Sequence, residues 1–216
     1  MAADPAPEPP PQDPELAALA RATRDVYARQ AERFAAARSR ALVERAWLDR
    51  FRALVPPGGR ILDVGCGTGE PIAAYLAQAG HPLTGVDFAA PMLALARRRF
   101  PDGDWRCADM RTLALPERFA GIVGWDSFFH LTADEQRATL PRLAAHLAPG
   151  GALLLTVGPR AGEVVGHVGS ERVYHASLSP VEYGEILARL GLAIVRFVPE
   201  DPACGGHSVL LAAQIR

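Results

Sequence analysis

The chain has 216 residues, of which 49% are hydrophobic and 22% charged, and its formal net charge is −1. This composition is typical of a soluble globular protein with one domain and a sizeable core. A nearly neutral total gives no broad attraction to phosphate backbones or acidic membranes, so we expect neither nucleic acid nor a membrane as a partner. No apolar run approaches the roughly 20 residues of a membrane span, and the acidic, proline-rich start is unlike a signal peptide, which predicts a cytoplasmic location.

The cysteines give no sign of a disulfide framework or a metal site. Cys66, Cys107 and Cys204 are the three cysteines, and their spacing is too wide for either pattern. Cys204 and His207 form a lone C-x-x-H pair, and no second pair follows it. We therefore expect no bound metal.

Two helices are predicted ahead of the first strand. Residues 1–13 carry five prolines and predict a disordered tail. Residues 13–15 (Asp-Pro-Glu) then have the features of a helix start, a capping carboxylate followed by a proline and an acid in the first turn. Helical sequence continues to about residue 34, and a second helix is predicted over residues 41–54. Residues 14–55 are therefore expected to form N-terminal cap helices.

From Arg60 onward, short apolar strands alternate with helices, a pattern that predicts an α/β fold with a mostly parallel sheet covered on both faces. Thr132 and Glu135 have the spacing of a capping box, and the helix that they open is predicted to run to Pro149. Such a sheet binds its ligand beyond the carboxyl ends of its strands. The predicted strands are residues 61–64, 82–86, 105–107, 120–125, 152–157, 193–198 and 208–212.

A glycine-rich turn follows the first predicted strand. Gly65, Gly67 and Gly69 have G-x-G-x-G spacing, whereas dinucleotide-binding enzymes use G-x-G-x-x-G. Glycines here let the backbone turn sharply and let a ligand lie against the main chain. Asp63 lies two residues before the first glycine, where its carboxylate suits a cationic amino group. Asp87 ends the second strand, where an acid can accept hydrogen bonds from both hydroxyls of a ribose.

Five segments, ILDVGCGTGEP, TGVDFAAPML, CADMRTL, FAGIVGWDSFFHL and LAPGGALLLT, resemble the class I S-adenosylmethionine (SAM)-dependent methyltransferases, over roughly residues 55–157. The resemblance implies a Rossmann-like sheet of seven strands whose last strand is antiparallel. It also implies a SAM-binding methyltransferase domain over residues 56–216, with S-adenosylhomocysteine (SAH) as its product. The cofactor contacts that it implies are Tyr27, Asp63, Gly65, Cys66, Gly67, Asp87, Phe88, Asp109, Met110 and Trp125.

These implied contacts divide among the parts of SAM. Asp63 and the first two glycines would hold the methionine end, with the backbone of Trp125 nearby, and Asp87 would take the ribose. Phe88, Asp109 and Met110 would lie at the adenine. Tyr27 lies in a predicted helix that resembles one folding over SAM in small family members, although plain packing explains it equally well.

The methyl acceptor is expected beyond the fourth strand, because methyl transfer from a sulfonium is an in-line displacement. His130 is the predicted general base, since its intrinsic pKa lies near neutrality, and Asp126 is a second base or a binder of an acceptor cation. A histidine hydrogen-bonded near the next helix cap is the alternative for His130. The long connection over residues 158–177 predicts a hairpin that brings Tyr174 and His175 to the acceptor, unless the hairpin is exposed. His207 is a further candidate.

The sequence thus predicts a SAM-dependent methyltransferase that acts, as a monomer or homodimer, on an unidentified small molecule. Residues 125–128 (Trp-Asp-Ser-Phe) stand where family members that methylate amide or nucleobase nitrogens often have Asn/Asp-Pro-Pro-aromatic, so those acceptors are disfavoured. Two alternatives stay open, a non-catalytic SAM-binding or regulatory module and a nucleotide-dependent oxidoreductase.

Overall fold

The computed structural model describes residues 13–39 and 41–215, and the predicted tail over residues 1–12 lies outside them. Six helices and nine strands follow one another in the described residues. The helices are α1 (Pro14–Ala37), α2 (Arg45–Arg52), α3 (Ile72–Gln78), α4 (Ala90–Arg99), α5 (Ala133–Ala145) and α6 (Pro180–Arg189). The strands are β1 (Ile61–Val64), β2 (Leu83–Asp87), β3 (Asp104–Cys107), β4 (Phe119–Gly124), β5 (Leu147–Val157), β6 (Gly162–Val168), β7 (Glu171–Ser177), β8 (Leu192–Asp201) and β9 (His207–Gln214).

Seven of these strands form one sheet in the order β3-β2-β1-β4-β5-β9-β8. Strands β1 to β5 are parallel, and β9 is antiparallel to both of its neighbours. The predicted seven-stranded α/β fold with an antiparallel last strand is confirmed. The strand order reverses between β1 and β4, so the carboxyl ends of these two strands border the crevice in which such sheets bind ligands.

Local signals in the sequence account for several helix starts. The Asp13 carboxylate accepts a hydrogen bond from the Glu15 backbone N–H, and Pro14 occupies the first turn of α1. Thr132 and Glu135 form the predicted capping box of α5. Ser179 caps α6 by accepting a hydrogen bond from the Glu182 N–H, without the reciprocal bond of a capping box.

The core lies on both faces of the sheet because alternate residues of each strand point to opposite faces. Leu62 of β1 belongs to a cluster with Leu153 of β5 and Leu143 of α5. Its neighbour Ile61 belongs to the other cluster, which includes Phe51 of α2. All five side chains are fully buried, as expected for a sheet covered on both sides.

Helix α1 and the β6–β7 hairpin pack against each other beside the main sheet. Val26 of α1 contacts the buried Val168 and Val173 of the hairpin, while Ala31 and Ala35 pack against α4. Strands β6 and β7 pair in antiparallel register, which confirms the predicted hairpin. Helices α1 and α2 occupy much of the predicted cap region, and the division into a cap and a SAM-binding domain stays a prediction.

One predicted boundary is wrong. Helix α5 ends at Ala145, before the Pro149 at which we expected it to stop. Leu147 is fully buried and already pairs with Phe119 of β4, so β5 begins there. The register shifts between Phe119 and Gly121, and Ala152 is the next residue of β5 that pairs with β4. Among the described residues, no helix is long and apolar enough to cross a membrane.

Candidate functional site

A cavity, here called the central cavity, lies at the carboxyl ends of β1, β2 and β4, and α1 covers it. Its position at the reversal of strand order is where a sheet of this type is expected to bind a ligand. The residues that line it include Tyr27, Phe34, Arg38, Asp63, Gly65, Cys66, Gly67, Thr68, Asp87, Phe88, Met92, Trp125, Asp126, Ser127 and His130.

The glycine-rich turn is held tightly between β2 and β4. Gly65 has φ +75°, and a Cβ there would lie 2.3 Å from the Cβ of Ser127, so this position requires glycine. The Ser127 hydroxyl donates to the Val64 carbonyl over 2.7 Å. The Gly67 N–H donates to the Asp87 carboxylate over 2.9 Å. These contacts fix the backbone that faces the cavity.

Two buried carboxylates share the cavity. Asp63 has only 3% of its surface exposed, and its carboxylate makes no hydrogen bond or ion pair with the described residues. Burial raises the pKa of Asp63 to about 7, with a further rise from Asp87 and an opposing effect of Arg38. Burial also raises the pKa of Asp87 to about 6, against the hydrogen bonds that it accepts from the N–H groups of Ala89 and Gly67. A buried carboxylate without a partner is costly, which points to a cationic ligand group at Asp63.

Tyr27 of α1 and His130 form a hydrogen-bonded pair at the cavity wall. Their Oη and Nε2 atoms lie 2.8 Å apart, and the Nδ1 of His130 lies 2.9 Å from the Tyr174 carbonyl. A carbonyl only accepts, so Nδ1 carries the proton, and Nε2 accepts the hydrogen bond that the Tyr27 hydroxyl donates. Burial lowers the pKa of His130 to about 4, so this imidazole is neutral near pH 7.

Asp126 is held by cations from two other parts of the chain. Its carboxylate lies 2.8 Å from Arg38 Nη1 and 2.9 Å from His207 Nε2, and its N–H donates to the Thr156 hydroxyl. Burial opposes ionisation, but His207 and Arg38 together hold the pKa of Asp126 below its ordinary value. The hydrogen bond to Asp126 raises the pKa of His207. His207 also donates through Nδ1 to the Cys204 carbonyl, and donation from both ring nitrogens is the pattern of an imidazolium.

An aromatic cluster continues from the cavity towards the hairpin. The His175 ring centroid lies 4.5 Å from that of Phe129 and 4.8 Å from that of His130. A Cβ on Gly166 would lie 2.3 Å from the His175 ring, so the glycine makes room for this side chain. Burial lowers the pKa of His175. The Tyr174 side chain is fully buried and its hydroxyl donates to Glu163.

Several known proteins resemble this chain in sequence or in fold. Residues 61–151 match the family described as a methyltransferase domain. The dTDP-3-amino-3,6-dideoxy-alpha-D-glucopyranose N,N-dimethyltransferase of Streptomyces fradiae is 38% identical over 102 residues, which are 46% of this chain and 40% of that protein. The SAM-bound structure of an amino pentose methyltransferase from Micromonospora echinaspora superposes with a TM-score of 0.68 at 24% identity, covering 88% of this chain and 97% of that one. Residues 61–151 of this chain therefore resemble a methyltransferase domain, and the chain shares its fold with a SAM-bound methyltransferase.

A second curated relative is also similar in sequence to this chain. The dTDP-3-amino-3,4,6-trideoxy-alpha-D-glucopyranose N,N-dimethyltransferase of Streptomyces venezuelae is 33% identical over 109 residues, which are 50% of this chain and 46% of that protein. The matched part of the chain therefore spans less than half the length of each of these two curated relatives.

The fold brings most of the predicted site residues together. Eight of the ten predicted cofactor contacts line the central cavity, as do His130 and Asp126. Asp109 and Met110 are not in that lining: the Asp109 carboxylate binds Arg111 over 2.6 Å, and Met110 is buried in the core. His175 lies farther out, beside Phe129. The functional roles of all these residues stay predictions.

Sequence reasoning missed Arg38, Phe34 and Met92, which also line the central cavity. Arg38 follows α1 directly and has no motif around it. Its distance of 88 positions from Asp126 along the chain explains the omission, because no local pattern links such residues. The pairing of His207 with Asp126 was unforeseen for the same reason.

Proposed function

We propose that this protein is an active methyltransferase that binds SAM in the central cavity and transfers its methyl group to a small-molecule amine. The observation that carries the proposal is the buried Asp63 carboxylate, which has no partner among the described residues and faces a cavity that also contains Asp87. A ligand with a cationic group would give the Asp63 carboxylate the partner that the described residues do not provide.

The residues present fit the groups of SAM. Asp63 would bind the α-amino group, and the guanidinium of Arg38 would lie on the side of the α-carboxylate. Asp87 uses its two oxygens for backbone N–H groups but keeps lone pairs for the ribose hydroxyls. Phe88 and Met92 supply the apolar surface that an adenine ring requires.

When bound, SAM supplies a methyl group that is already activated by its sulfonium. The lone pair of the acceptor nitrogen would form the new C–N bond, and the electrons of the broken C–S bond would stay on the sulfur of SAH. The Tyr27 oxygen accepts a hydrogen bond from the acceptor N–H, because the hydroxyl proton is engaged with His130. The nitrogen would then lose its extra proton to water, because an imidazole whose pKa is about 4 is a weak base.

The low pKa of His130 favours an amine over an alcohol as the methyl acceptor. An alcohol must lose its proton to become a good nucleophile, and an imidazole whose pKa is about 4 is a weak base. A neutral amine already carries a reactive lone pair. The two curated relatives described above are N,N-dimethyltransferases of amino sugars, which supports the same acceptor atom.

The alternatives fit the site less well. A non-catalytic SAM-binding module has no need of Tyr27, His130 and Asp126 beside the cofactor. A nucleotide-dependent oxidoreductase does not require a buried carboxylate such as Asp63, without a partner among the described residues, at the end of β1. We further propose a cytoplasmic enzyme, monomeric or homodimeric, without nucleic-acid or membrane partners.

The test measures SAH release from SAM with a panel of small amines, amino sugars included, and with their hydroxyl counterparts. We expect turnover with at least one amine and none with its counterpart. Replacing Tyr27 by Phe should lower kcat about tenfold or more while SAH affinity stays within about threefold, since one charge-assisted or neutral hydrogen bond contributes about 1–3 kcal/mol. Tight SAH binding with no release across the panel would favour the non-catalytic module.

A further inference from the structure

A second cavity, here called the side chamber, opens between α1 and the β6–β7 hairpin. Its volume is about 330 Å³, within the range of small-molecule sites. Tyr27, Phe34 and Asp126 line both this chamber and the central cavity. The two spaces therefore adjoin each other along these three residues, which include Tyr27 and Asp126 of the site proposed for methyl transfer. The remaining lining residues of the chamber are Gln30, Arg33, Ala37, Phe129, His167, Val168, Gly169 and His175.

Another cavity on the far side of His175 is a weaker candidate for the acceptor. It is lined by Phe129, His175 and His207, together with residues of β5 and β6 and the turns beside them. It shares no lining residue with the central cavity. Of these two cavities, only the side chamber shares lining residues with the central cavity.

Among the described residues, the charged groups around the side chamber leave Arg33 without a hydrogen bond or ion pair. The charge of Arg33 interacts with the Glu171 carboxylate at longer range. The hydrogen bonds of this carboxylate come from Arg29 and Gln30, at 2.5 Å and 2.6 Å. Asp126 is bound by Arg38 and His207, as described above. Arg33 is exposed, lines the chamber and makes no hydrogen bond or ion pair within the described part of the chain.

We infer that the acceptor occupies the side chamber with its amine at Tyr27 and Asp126 and carries an oxyanion, a phosphate or a carboxylate, that Arg33 binds. This inference rests on the proposed function, since it names the acceptor class of the same site. The fork of the Arg33 guanidinium matches both oxyanions. His167 and His175 add further donors on the hairpin side.

The test uses the full chain saturated with SAH and two probes, inorganic pyrophosphate and citrate, titrated by calorimetry. NMR signals of the histidine rings report where each probe binds. We expect at least one probe to bind and to shift the signals of His167 and His175, but not of His81, which lies near α3 and β2. Arg33→Gln should weaken this binding roughly tenfold or more, as loss of a charge-assisted hydrogen bond does. Binding of pyrophosphate alone would indicate that the acceptor carries a phosphate, and binding of citrate alone that it carries a carboxylate.

Arg21→Gln is the matched control, because Arg21 is an exposed arginine of the same helix that does not line the chamber. It should leave probe binding unchanged. Absence of binding by both probes, or equal weakening by the two variants, would overturn the inference. SAH affinity is measured on the unmodified protein and on each variant at the same time. If the unmodified protein does not bind SAH, the proposed function is contradicted. If it binds SAH but neither probe, only the proposed acceptor class is rejected.

Discussion

At the scale of single residues, the ionisation of Asp63 couples the central cavity to pH. Its folded-state pKa of about 7 lies above the ordinary value for aspartate of about 3.9. The folded protein therefore holds a proton that the unfolded chain has lost between about pH 4 and pH 7. Stability from this group is fully present below pH 4 and is lost as the pH rises through 7. A cationic ligand group at Asp63 reverses the effect, because it favours the ionised carboxylate.

We therefore expect SAH affinity to rise between pH 5 and pH 7.5 by roughly tenfold or more, as the fraction of ionised Asp63 increases. Calorimetry in buffers of different ionisation enthalpy measures both the affinity and the protons released. Asp63→Asn should bind SAH more weakly and retain only the change below pH 6 that Asp87 contributes. Asp102→Asn, an exposed aspartate in the turn after α4, should behave like the unmodified protein. An unchanged pH profile in Asp63→Asn would contradict the assignment.

At the scale of elements, the β6–β7 hairpin holds α1 over the central cavity. Val173 of β7 is fully buried and packs with Val26 of α1. Ion pairs join the same elements at the surface, such as Arg172 with Glu15 over 2.6 Å. Exposed ion pairs contribute little, so apolar packing supplies most of the attachment. Since Tyr27 lies on α1, the hairpin also positions the cavity wall.

Val173→Ala should lower the free energy of unfolding by about 1.5–3 kcal/mol through lost burial and the cavity left behind. Urea denaturation measures this change, and trypsin cleavage within α1 should become faster. Val164→Ala is the control, because Val164 lies in the same hairpin with 61% of its surface exposed. Its effect should stay within about 0.5 kcal/mol. Equal destabilisation by the two substitutions would show that the hairpin does not hold α1 through Val173.

At the scale of the whole molecule, the cavity draws residues from distant parts of the chain. Helix α1, β1, β2 and β4 all contribute to it, so a ligand bound there links the first cap helix to the sheet. Binding that occurs only in the folded state stabilises the entire domain.

SAH at about one hundred times its dissociation constant should add about 2.7 kcal/mol to the free energy of unfolding. For a chain of this size, that corresponds to a rise in Tm of roughly 5–11 °C. NAD at the same concentration should leave Tm unchanged. Differential scanning calorimetry checks both, and Asp63→Asn provides a variant with a smaller SAH shift. A larger shift with NAD than with SAH would revive the oxidoreductase alternative.

The order of strands and helices, the caps at Thr132 and Ser179, and the glycine-rich turn were all predictable from the sequence. Each depends on neighbours a few positions apart, where hydrophobic periodicity, capping groups and backbone freedom act locally. Parallel strands also bring their carboxyl ends to one edge, so Asp63 and Asp87 could be placed in one site from their positions alone.

Only the tertiary structure decided what those side chains experience. The pairing of Tyr27 with His130 spans 103 positions, and that of Arg38 with Asp126 spans 88. Burial then lowered the pKa of His130 to about 4 and left the Asp63 carboxylate without a hydrogen-bond partner among the described residues. Desolvation and contacts between distant segments arise only when the chain is folded, because they depend on which surfaces meet in space. For this protein, the sequence determined the architecture and the likeness to SAM-dependent methyltransferases, whereas the packing of α1 and the hairpin on the sheet decided the surroundings of Tyr27, His130 and Asp126.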